Sequence, residues 1–212
     1  MLAVVLSLLS LVAAAAGSGC CTPTQWEGDM GLILGSVANG NTSFIEGTMR
    51  IHYDAQQKMI VTVQNINYNG LPIRQTIIED FNKRVQYTVM GDGCSSKPLG
   101  AWLPNCIPDN ATSAEVVYGL GSNSVQARAF EVNYGEFTVY FVVTADTCVP
   151  LAEDVNGKFD GADIMEVITF ANIKAGISNT SVFNIPTNCP TVQFPVPGVP
   201  RARRASPFHG YL

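Results

Sequence analysis

The chain has 212 residues, of which 47% are hydrophobic and 14% charged, and its formal net charge is −5. This length is sufficient for a domain with a substantial hydrophobic core. Three of the basic residues, Arg201, Arg203 and Arg204, lie near the C-terminus. The rest of the chain has 9 basic and 17 acidic residues, which gives it a formal net charge of −8. An acidic body argues against nucleic acid as a partner and is compatible with the binding of cations.

The N-terminus has the pattern of a secretory signal peptide. Residues 2–16 are apolar and uncharged, and the small residues Gly17, Ser18 and Gly19 follow them at the position of a cleavage site. The run is short for a membrane span and has no charged flank, and no later apolar run is long enough to cross a bilayer. We therefore predict a signal peptide at residues 1–19 and a secreted, extracellular product that does not span the membrane.

The cysteines and sequons agree with secretion. An even number of cysteines behind a signal peptide indicates disulfides, and the absence of C-x-x-C together with only two histidines argues against a zinc site. Adjacent Cys20 and Cys21 can bond to each other only with strain, so each is expected to pair elsewhere, and 15 connectivities are possible in all. The cysteines are Cys20, Cys21, Cys94, Cys106, Cys148 and Cys189, and the predicted N-glycosylation sites are Asn41, Asn110 and Asn179.

The first half of the mature chain predicts antiparallel strands. Residues 20–28 are predicted to be a loop, and an apolar stretch follows at residues 30–37. Residues 44–53 alternate between apolar and polar side chains, a polar turn follows, and residues 58–64 alternate again, which is typical of a hairpin with one buried face. Two more strands are predicted near residues 73–81 and 84–90.

The second half begins with a segment rich in glycine and proline. Residues 91–112 also contain Trp102 and two cysteines, and they predict a long excursion anchored by disulfides. Strands are predicted to resume at residues 115–120, 125–133 and 136–144, the last with strict period-two alternation. Residues 164–173 are apolar on both faces and could form a helix by composition, but the β-branched and aromatic residues 167–170 favour a strand. The sum is one mostly antiparallel all-β domain of about ten strands at residues 20–190, followed by a proline-rich basic tail at residues 191–212.

Several short motifs resemble the ependymin-related proteins, and more closely their invertebrate or mammalian branch. They occur in the family's order over residues 20–190: Cys20-x-x-Pro23 with Gln25-Trp26-Glu27-Gly28, Tyr53-Asp54, Ile107-Pro108-x-Asn110-x-Thr112, Cys148-Val-Pro150, and Ser181-Val-Phe183-x-Ile-Pro186-x-x-Cys189. The resemblance implies a secreted, glycosylated, disulfide-bonded protein that forms homodimers and binds calcium. It also implies two stacked antiparallel sheets around a large apolar pocket, similar to bacterial lipoprotein carriers.

The resemblance also gives expectations for individual residues. It implies the disulfides Cys20–Cys148 and Cys94–Cys189, which leave Cys21 to pair with Cys106. Cys21 and Cys106 are additions to the vertebrate pattern, and a cysteine expected near Ile73 is absent. With a pocket implied between the sheets, apolar strand residues that otherwise read as ordinary core become candidate pocket or core residues: Ile45, Met49, Ile51, Phe137, Val139, Phe141 and Val143.

One acidic stretch has the composition of a calcium site. Residues 154–163 place oxygen ligands near alternate positions with glycines between them, which suits a hard cation, although the spacing and the missing closing glutamate exclude an EF-hand. From the residues alone a polar turn is the favoured interpretation of this stretch, and a calcium loop is the alternative. The candidate ligands are Asp154, Asn156, Asp160 and Asp163.

Catalytic patterns are missing from the sequence, and we predict that the protein is not an enzyme. Neither G-x-S-x-G nor H-E-x-x-H occurs, so no nucleophile is paired with a base by motif. Of the two histidines, His52 is expected to be exposed on the polar face of its strand, and His209 lies in the tail. Glu153 and Asp154 are expected in a solvated loop.

These observations favour a secreted, calcium-associated protein that binds an apolar ligand, such as a fatty acid or lipid, between two sheets. The alternative is a component of the extracellular matrix, including mineralised matrix, or a cell–matrix adhesion protein without a lipid ligand. In the tail, Arg201-Ala202-Arg203-Arg204 matches the pattern cut by furin-type convertases, which predicts removal of residues 205–212; a basic tail that binds surfaces is the alternative.

Overall fold

The computed structural model describes residues 19–102, 105–108, 111–159 and 161–190. The predicted signal peptide except Gly19, the proline-rich tail, Asn110 and Asp160 lie outside the described residues. In the described part the only helix is a 3-10 turn at Thr180–Phe183, and no helix there is long and apolar enough to cross a membrane.

The all-β prediction is confirmed, because eleven antiparallel strands make up nearly all of the described regular structure. They are β1 (Gln25–Ala38), β2 (Asn41–Asp54), β3 (Met59–Tyr68), β4 (Leu71–Asp80), β5 (Val85–Met90), β6 (Gly93–Pro98), β7 (Thr112–Leu120), β8 (Asn123–Asn133), β9 (Phe137–Thr144), β10 (Pro150–Phe159) and β11 (Ala162–Ala175).

All eleven strands are hydrogen-bonded into one sheet, in the order β6-β5-β4-β3-β2-β1-β11-β10-β9-β8-β7. Strand β1 lies in the middle and pairs with β2 on one side and with β11 on the other. Where the resemblance implied two sheets, the β1–β11 pairing joins the N-terminal and C-terminal strands into a single one.

Three strands lie where the sequence predicted loops or turns. Strand β1 starts at Gln25, within the predicted N-terminal loop, and β6 lies within the glycine- and proline-rich excursion. Strand β10 occupies the acidic stretch, where it pairs with β9 on one edge and β11 on the other. Pairing on both edges and burial of alternate side chains outweigh the polar composition of β10, which by itself favours a turn.

One face of the sheet, here called the inner face, carries most of the core. The register places Trp26, Met30 and Ile51 on this face in the N-terminal half and Val139 and Phe141 on it in the C-terminal half. Two of the three clusters of buried apolar side chains lie along it. These side chains are almost completely buried, so the inner face is packed rather than hollow at these positions.

The chain between β6 and β7 crosses the inner face, because these consecutive strands are the two opposite edges of the sheet. Trp102 packs on this face, with ring centroids 5.5 Å from Tyr53 and 5.0 Å from Phe81. Further along, Cys106 bonds to Cys21 and Ile107 joins the cluster around β8–β11. We name the described residues of this connection, 99–102, 105–108 and 111, the crossing segment.

The opposite, outer face is covered only in part by the described residues that follow β11. Phe183 packs there against Val61 and Ile78 of β3 and β4, and a disulfide joins Cys189 to Cys94 of β6. The backbone and hydroxyl of Ser178 donate hydrogen bonds of 3.1 and 2.9 Å to Oε2 of Glu27. These contacts fix residues 176–190 over β3–β5.

Three carboxylic acids are buried on the inner face. Glu79, Glu153 and Glu166 are each 3% exposed or less, so the expectation that Glu153 lies in a solvated loop is wrong. Burial raises the pKa of Glu79 to about 8. Burial, reinforced by the nearby Glu153, raises the pKa of Glu166 to about 8 as well. Glu79 and Glu166 therefore remain protonated at neutral pH, because the low-dielectric interior disfavours the charged form.

Replacing Trp102 with alanine tests whether the crossing segment helps to cover the inner face. The half-buried indole contacts Tyr53 and Phe81, so W102A should lower the free energy of unfolding by about 2 kcal/mol. Urea denaturation measures the change, and L120A, which truncates a side chain that is 88% exposed, is the control. A W102A value within the range of L120A would contradict this arrangement.

Replacing Glu79 with glutamine tests its protonation. The pKa of Glu79 is higher in the folded than in the unfolded protein. The contribution of protonated Glu79 to the free energy of unfolding is therefore complete below about pH 4.5 and is lost as the pH rises towards 8. The loss is about 1.4 kcal/mol per pH unit for one group. Urea denaturation between pH 5 and 8 should show a shallower loss of stability in E79Q than in the unsubstituted protein. Equal slopes would show that Glu79 is already ionised in the folded state.

Candidate functional site: an open groove on the outer face

A groove of about 770 Å³ crosses five strands of the sheet, from β11 through β1, β2 and β3 to β4. Its volume is in the range of small-molecule sites. The register places its outer-face side chains in two parallel rows. The first row is Thr169, Gly31, Thr48, Asn65 and Arg74, and the second is Val167, Ile33, Glu46, Asn67 and Pro72.

Backbone and glycine form the floor of the groove. Leu32, Gly47, Ile66 and Ile73 lie between the two rows, and their Cβ positions face the inner side of the sheet. A Cβ on Gly47 would clash with the carbonyl oxygen of Asn65, so glycine lets the β2 and β3 backbones approach each other here. Gly31 leaves the first row open, because a Cβ there would lie 2.9 Å from Thr169 Oγ1.

The groove is apolar at its β11–β1 end. Ile33 and Val167 are directly opposite each other, and Ile33 is 52% exposed. In the next row of the same face Met165 and Phe44 flank Gly35, and they are 65% and 45% exposed. Ile33 and Val167 line the groove, while Met165 and Phe44 extend the exposed apolar surface beyond it, and we call the four side chains together the apolar end. Contiguous exposed apolar side chains of this kind mark sites of interaction.

The groove is polar at its β3–β4 end. Arg74 and Asn65 are cross-strand neighbours, and Arg74 Nε donates a hydrogen bond of 2.8 Å to Asn65 Oδ1. Thr48 and Asn67 lie beside them, and Glu46 lies between this end and Ile33. Arg74 is the one basic residue among the described residues that line the groove. The groove thus offers an apolar surface at one end and a guanidinium group at the other.

The sequence-predicted pocket residues lie elsewhere. Ile45, Met49, Ile51, Phe137, Val139, Phe141 and Val143 have inner-face positions, and none of them lines the groove. Six of the seven are buried in the packed core and Ile45 is half-buried. A period-two pattern identifies the face that is buried, but it does not show where the opposite face leaves a groove. Gly31, within the apolar stretch at residues 30–37, was the available signal.

His52 belongs to a buried ionic cluster rather than to the solvent-exposed face predicted for it. It is 8% exposed, and its Nδ1 lies 3.3 Å from Glu27 Oε2. Burial lowers the pKa of His52 despite the opposing charge of Glu27. Burial acts to raise the pKa of Glu27, but hydrogen bonds from Ser178 and the charges of His52 and Arg50 lower it overall. Because Ser178 is bound to Glu27, the cluster anchors residues 176–190 to the sheet.

The predicted calcium ligands are spread along a hairpin. Asp154 and Asn156 lie on the outer face of β10, and Asp163 of β11 forms an ion pair of 2.9 Å with Lys158. Burial, followed by the charge of Glu153, raises the pKa of Asp154, which disfavours the charged form that calcium requires. Among the described residues no three acidic, histidine or cysteine side chains lie close enough to hold a metal ion. With Asp160 outside those residues, calcium binding remains a prediction.

The structure joins the cysteines in the pairs that the resemblance implied: Cys20–Cys148, Cys21–Cys106 and Cys94–Cys189. Two sequons lie at exposed positions, Asn41 at the start of β2 and Asn179 before the 3-10 turn. The side-chain oxygen of Asn179 accepts hydrogen bonds from Ser181, so the turn engages its oxygen and not the nitrogen that would carry a glycan. Asn110, Arg201, Arg203 and Arg204 lie outside the described residues.

Solved structures similar to this chain have low sequence identity. An uncharacterised conserved protein from Thermus thermophilus has a TM-score of 0.42 and 8% identity, over 80% of this chain and 90% of that one. MucB has a TM-score of 0.42 and 13% identity, over 82% of this chain and 61% of MucB. A LolA superfamily protein from Nitrosomonas europaea has a TM-score of 0.36 and 8% identity, over 78% of this chain and 93% of that one. Likenesses at this level do not establish a shared ligand or function.

Sequence comparison is more specific. The chain is 24% identical over 189 residues to mammalian ependymin-related protein 1 of Mus musculus, which covers 82% of this chain and 77% of the mouse protein. The Ependymin family model matches residues 72–189, from β4 to the disulfide at Cys189. This match covers more than half of the chain, and the chain belongs to the ependymin family.

Proposed function

We propose that this protein is a secreted binding protein that holds an apolar ligand in the outer-face groove. The observation that carries the proposal is the groove itself, about 770 Å³ in volume, with strongly exposed apolar side chains at one end. The three disulfides and the sequence-predicted signal peptide support an extracellular location, because disulfides persist in oxidising compartments.

The apolar end supplies the driving force for binding. Each methylene that a ligand removes from water is worth about 0.8 kcal/mol, and the protein side chains that it covers add a similar term per unit area. Ile33, Met165 and Phe44 have no covering group among the described residues, so a ligand that lies on them buries apolar surface on both partners.

The packed inner face is the less suitable place for a ligand. Ile51 and Val139 have no exposed surface there, and Phe141 is 1% exposed. A ligand between these side chains would have to displace close-packed core contacts, which cost several kcal/mol to lose. The buried carboxyl groups of that face are likewise out of reach of a substrate, and the proposal is therefore for binding without chemistry.

Removing the apolar character of the groove should weaken binding. The double substitution I33T/V167T keeps β-branched side chains on β1 and β11 and exchanges apolar groups for hydroxyls. Fluorescence titration with the neutral apolar dye N-phenyl-1-naphthylamine should show about tenfold weaker binding, because the loss of one or two buried methyl groups is worth about 1.4 kcal/mol.

The matched control is V117T/V125T, which makes the same kind of change at exposed positions of β7 and β8, far from the groove in strand order. It should leave the affinity for the dye within twofold of the unsubstituted protein. If both double variants bind the dye equally well, the outer-face groove is not the site. If the unsubstituted protein does not bind the dye, the apolar-ligand proposal fails altogether.

A further inference from the structure

We infer that the disulfide Cys21–Cys106 is a redox-sensitive latch, which a dithiol reductant opens before the other two disulfides and which holds the crossing segment against the inner face. The inference goes beyond the proposed function, because it concerns the inner face and does not involve the groove. It follows from the different surroundings of the three disulfides and from the place of this one in the fold.

Cys21–Cys106 is the most accessible of the three bonds. Cys21 is the one exposed cysteine among the six, and Cys106 is half-buried. Neither residue belongs to a cluster of buried apolar side chains. A thiolate must reach a disulfide sulfur in order to attack it, so the rate of thiol–disulfide exchange depends on access. The exposed Cys21 is therefore the point of attack.

The other two disulfides are enclosed by apolar side chains. Cys20 is 5% exposed and lies with Cys148 in the cluster around β8–β11. Cys94 and Cys189 are half-buried and pack against the cluster around Phe183. A thiolate that attacks either bond would have to bring its charge into apolar surroundings, which is unfavourable. These two bonds are therefore expected to open after Cys21–Cys106.

Opening the latch requires a reductant that supplies two thiol groups. One thiolate of the dithiol attacks Sγ of Cys21, forms a mixed disulfide and releases Cys106 as a thiolate, which takes up a proton. The second thiol group of the reductant then attacks the mixed disulfide, closes the reductant's own disulfide ring and releases Cys21. The protein gains two electrons and two protons, and the dithiol loses both.

The position of the bond makes it a latch. Cys106 is the only cysteine of the crossing segment, and its bond to Cys21 spans 85 residues of the sequence. On either side of the bond the two segments share backbone hydrogen bonds of 2.8 Å, from Thr22 N to Asn105 O and from Ile107 N to Cys20 O. Without the disulfide only non-covalent contacts hold the crossing segment, and such segments open more readily than a core.

The order of reduction tests the first half of the inference. The folded, unsubstituted protein is treated with dithiothreitol, samples are quenched with iodoacetamide at successive times, and peptide mapping identifies the alkylated cysteines. Cys21 and Cys106 should be alkylated at least about tenfold faster than the other four cysteines. Faster alkylation of any other pair, or opening of all three bonds together, would overturn the inference.

Quenching of tryptophan fluorescence by acrylamide tests the second half. The chain has two tryptophans, and Trp26 has no exposed surface, so a change in quenching reports on Trp102 in the crossing segment. Opening Cys21–Cys106 should raise the quenching constant about twofold, because the segment over Tyr53 and Phe81 loosens.

Two double variants separate the latch from a general loosening of the protein. C21S/C106S should show the raised quenching constant without any reductant. C94S/C189S removes the disulfide on the outer face and should keep the quenching constant of the unsubstituted protein.

Two results would contradict the role of the bond as a latch. The first is an unchanged quenching constant after selective reduction of Cys21–Cys106, and the second is an equal rise in C94S/C189S. Should C21S/C106S fail to fold, selective reduction of the folded, unsubstituted protein still gives the decisive result. None of these measurements uses a groove ligand, so failure of the latch and failure of the proposed function are distinguished.

Discussion

The path of the crossing segment constrains the rest of this fold. Its ends are attached to β6 and β7, which are neighbours in sequence but the two outermost strands of an eleven-stranded sheet. A flat sheet of this size would be about 48 Å wide. The thirteen residues between Pro98 and Thr112 reach about 45–50 Å only when fully extended. Because the segment instead packs on Tyr53 and bonds to Cys21, the sheet has to curve around it.

This constraint gives the two faces different roles. The crossing segment, the N-terminal residues around Cys20 and the apolar side chains of the strands together fill the inner face. On the outer face, residues 176–190 cover β3–β5 and are anchored by Ser178 to Glu27 and by Cys189 to Cys94. Further along β11, β1 and β2 the outer-face side chains Met165, Ile33 and Phe44 are exposed. The groove lies where this coverage stops. Its walls are formed by side chains of five strands rather than by loops.

Much of the fold followed from local patterns in the sequence. The alternation of Phe137, Val139, Phe141 and Val143 predicted strand β9 and its buried face. Strand β10 was missed because Glu153 is buried by the pairing of β10 with β9 and β11. The composition of β10 alone does not indicate this pairing. His52 was misjudged for a similar reason, since its partner Glu27 lies on another strand and is itself bound by Ser178, more than 120 residues from His52 in the sequence. The groove combines residues of five strands, and only Gly31 of β1 indicated it.

The central claim is that the ligand binds on the outer face and not within the packed inner face. Backbone amide chemical shifts, recorded by NMR during titration with the neutral dye, test it most directly. The account predicts that the shifted amides cluster in the groove, at Gly31, Ile33, Thr48, Asn65 and Val167. Shifts concentrated at Ile51, Val139, Phe141 and Val155, with the groove residues unchanged, would place the ligand in the core and contradict the account.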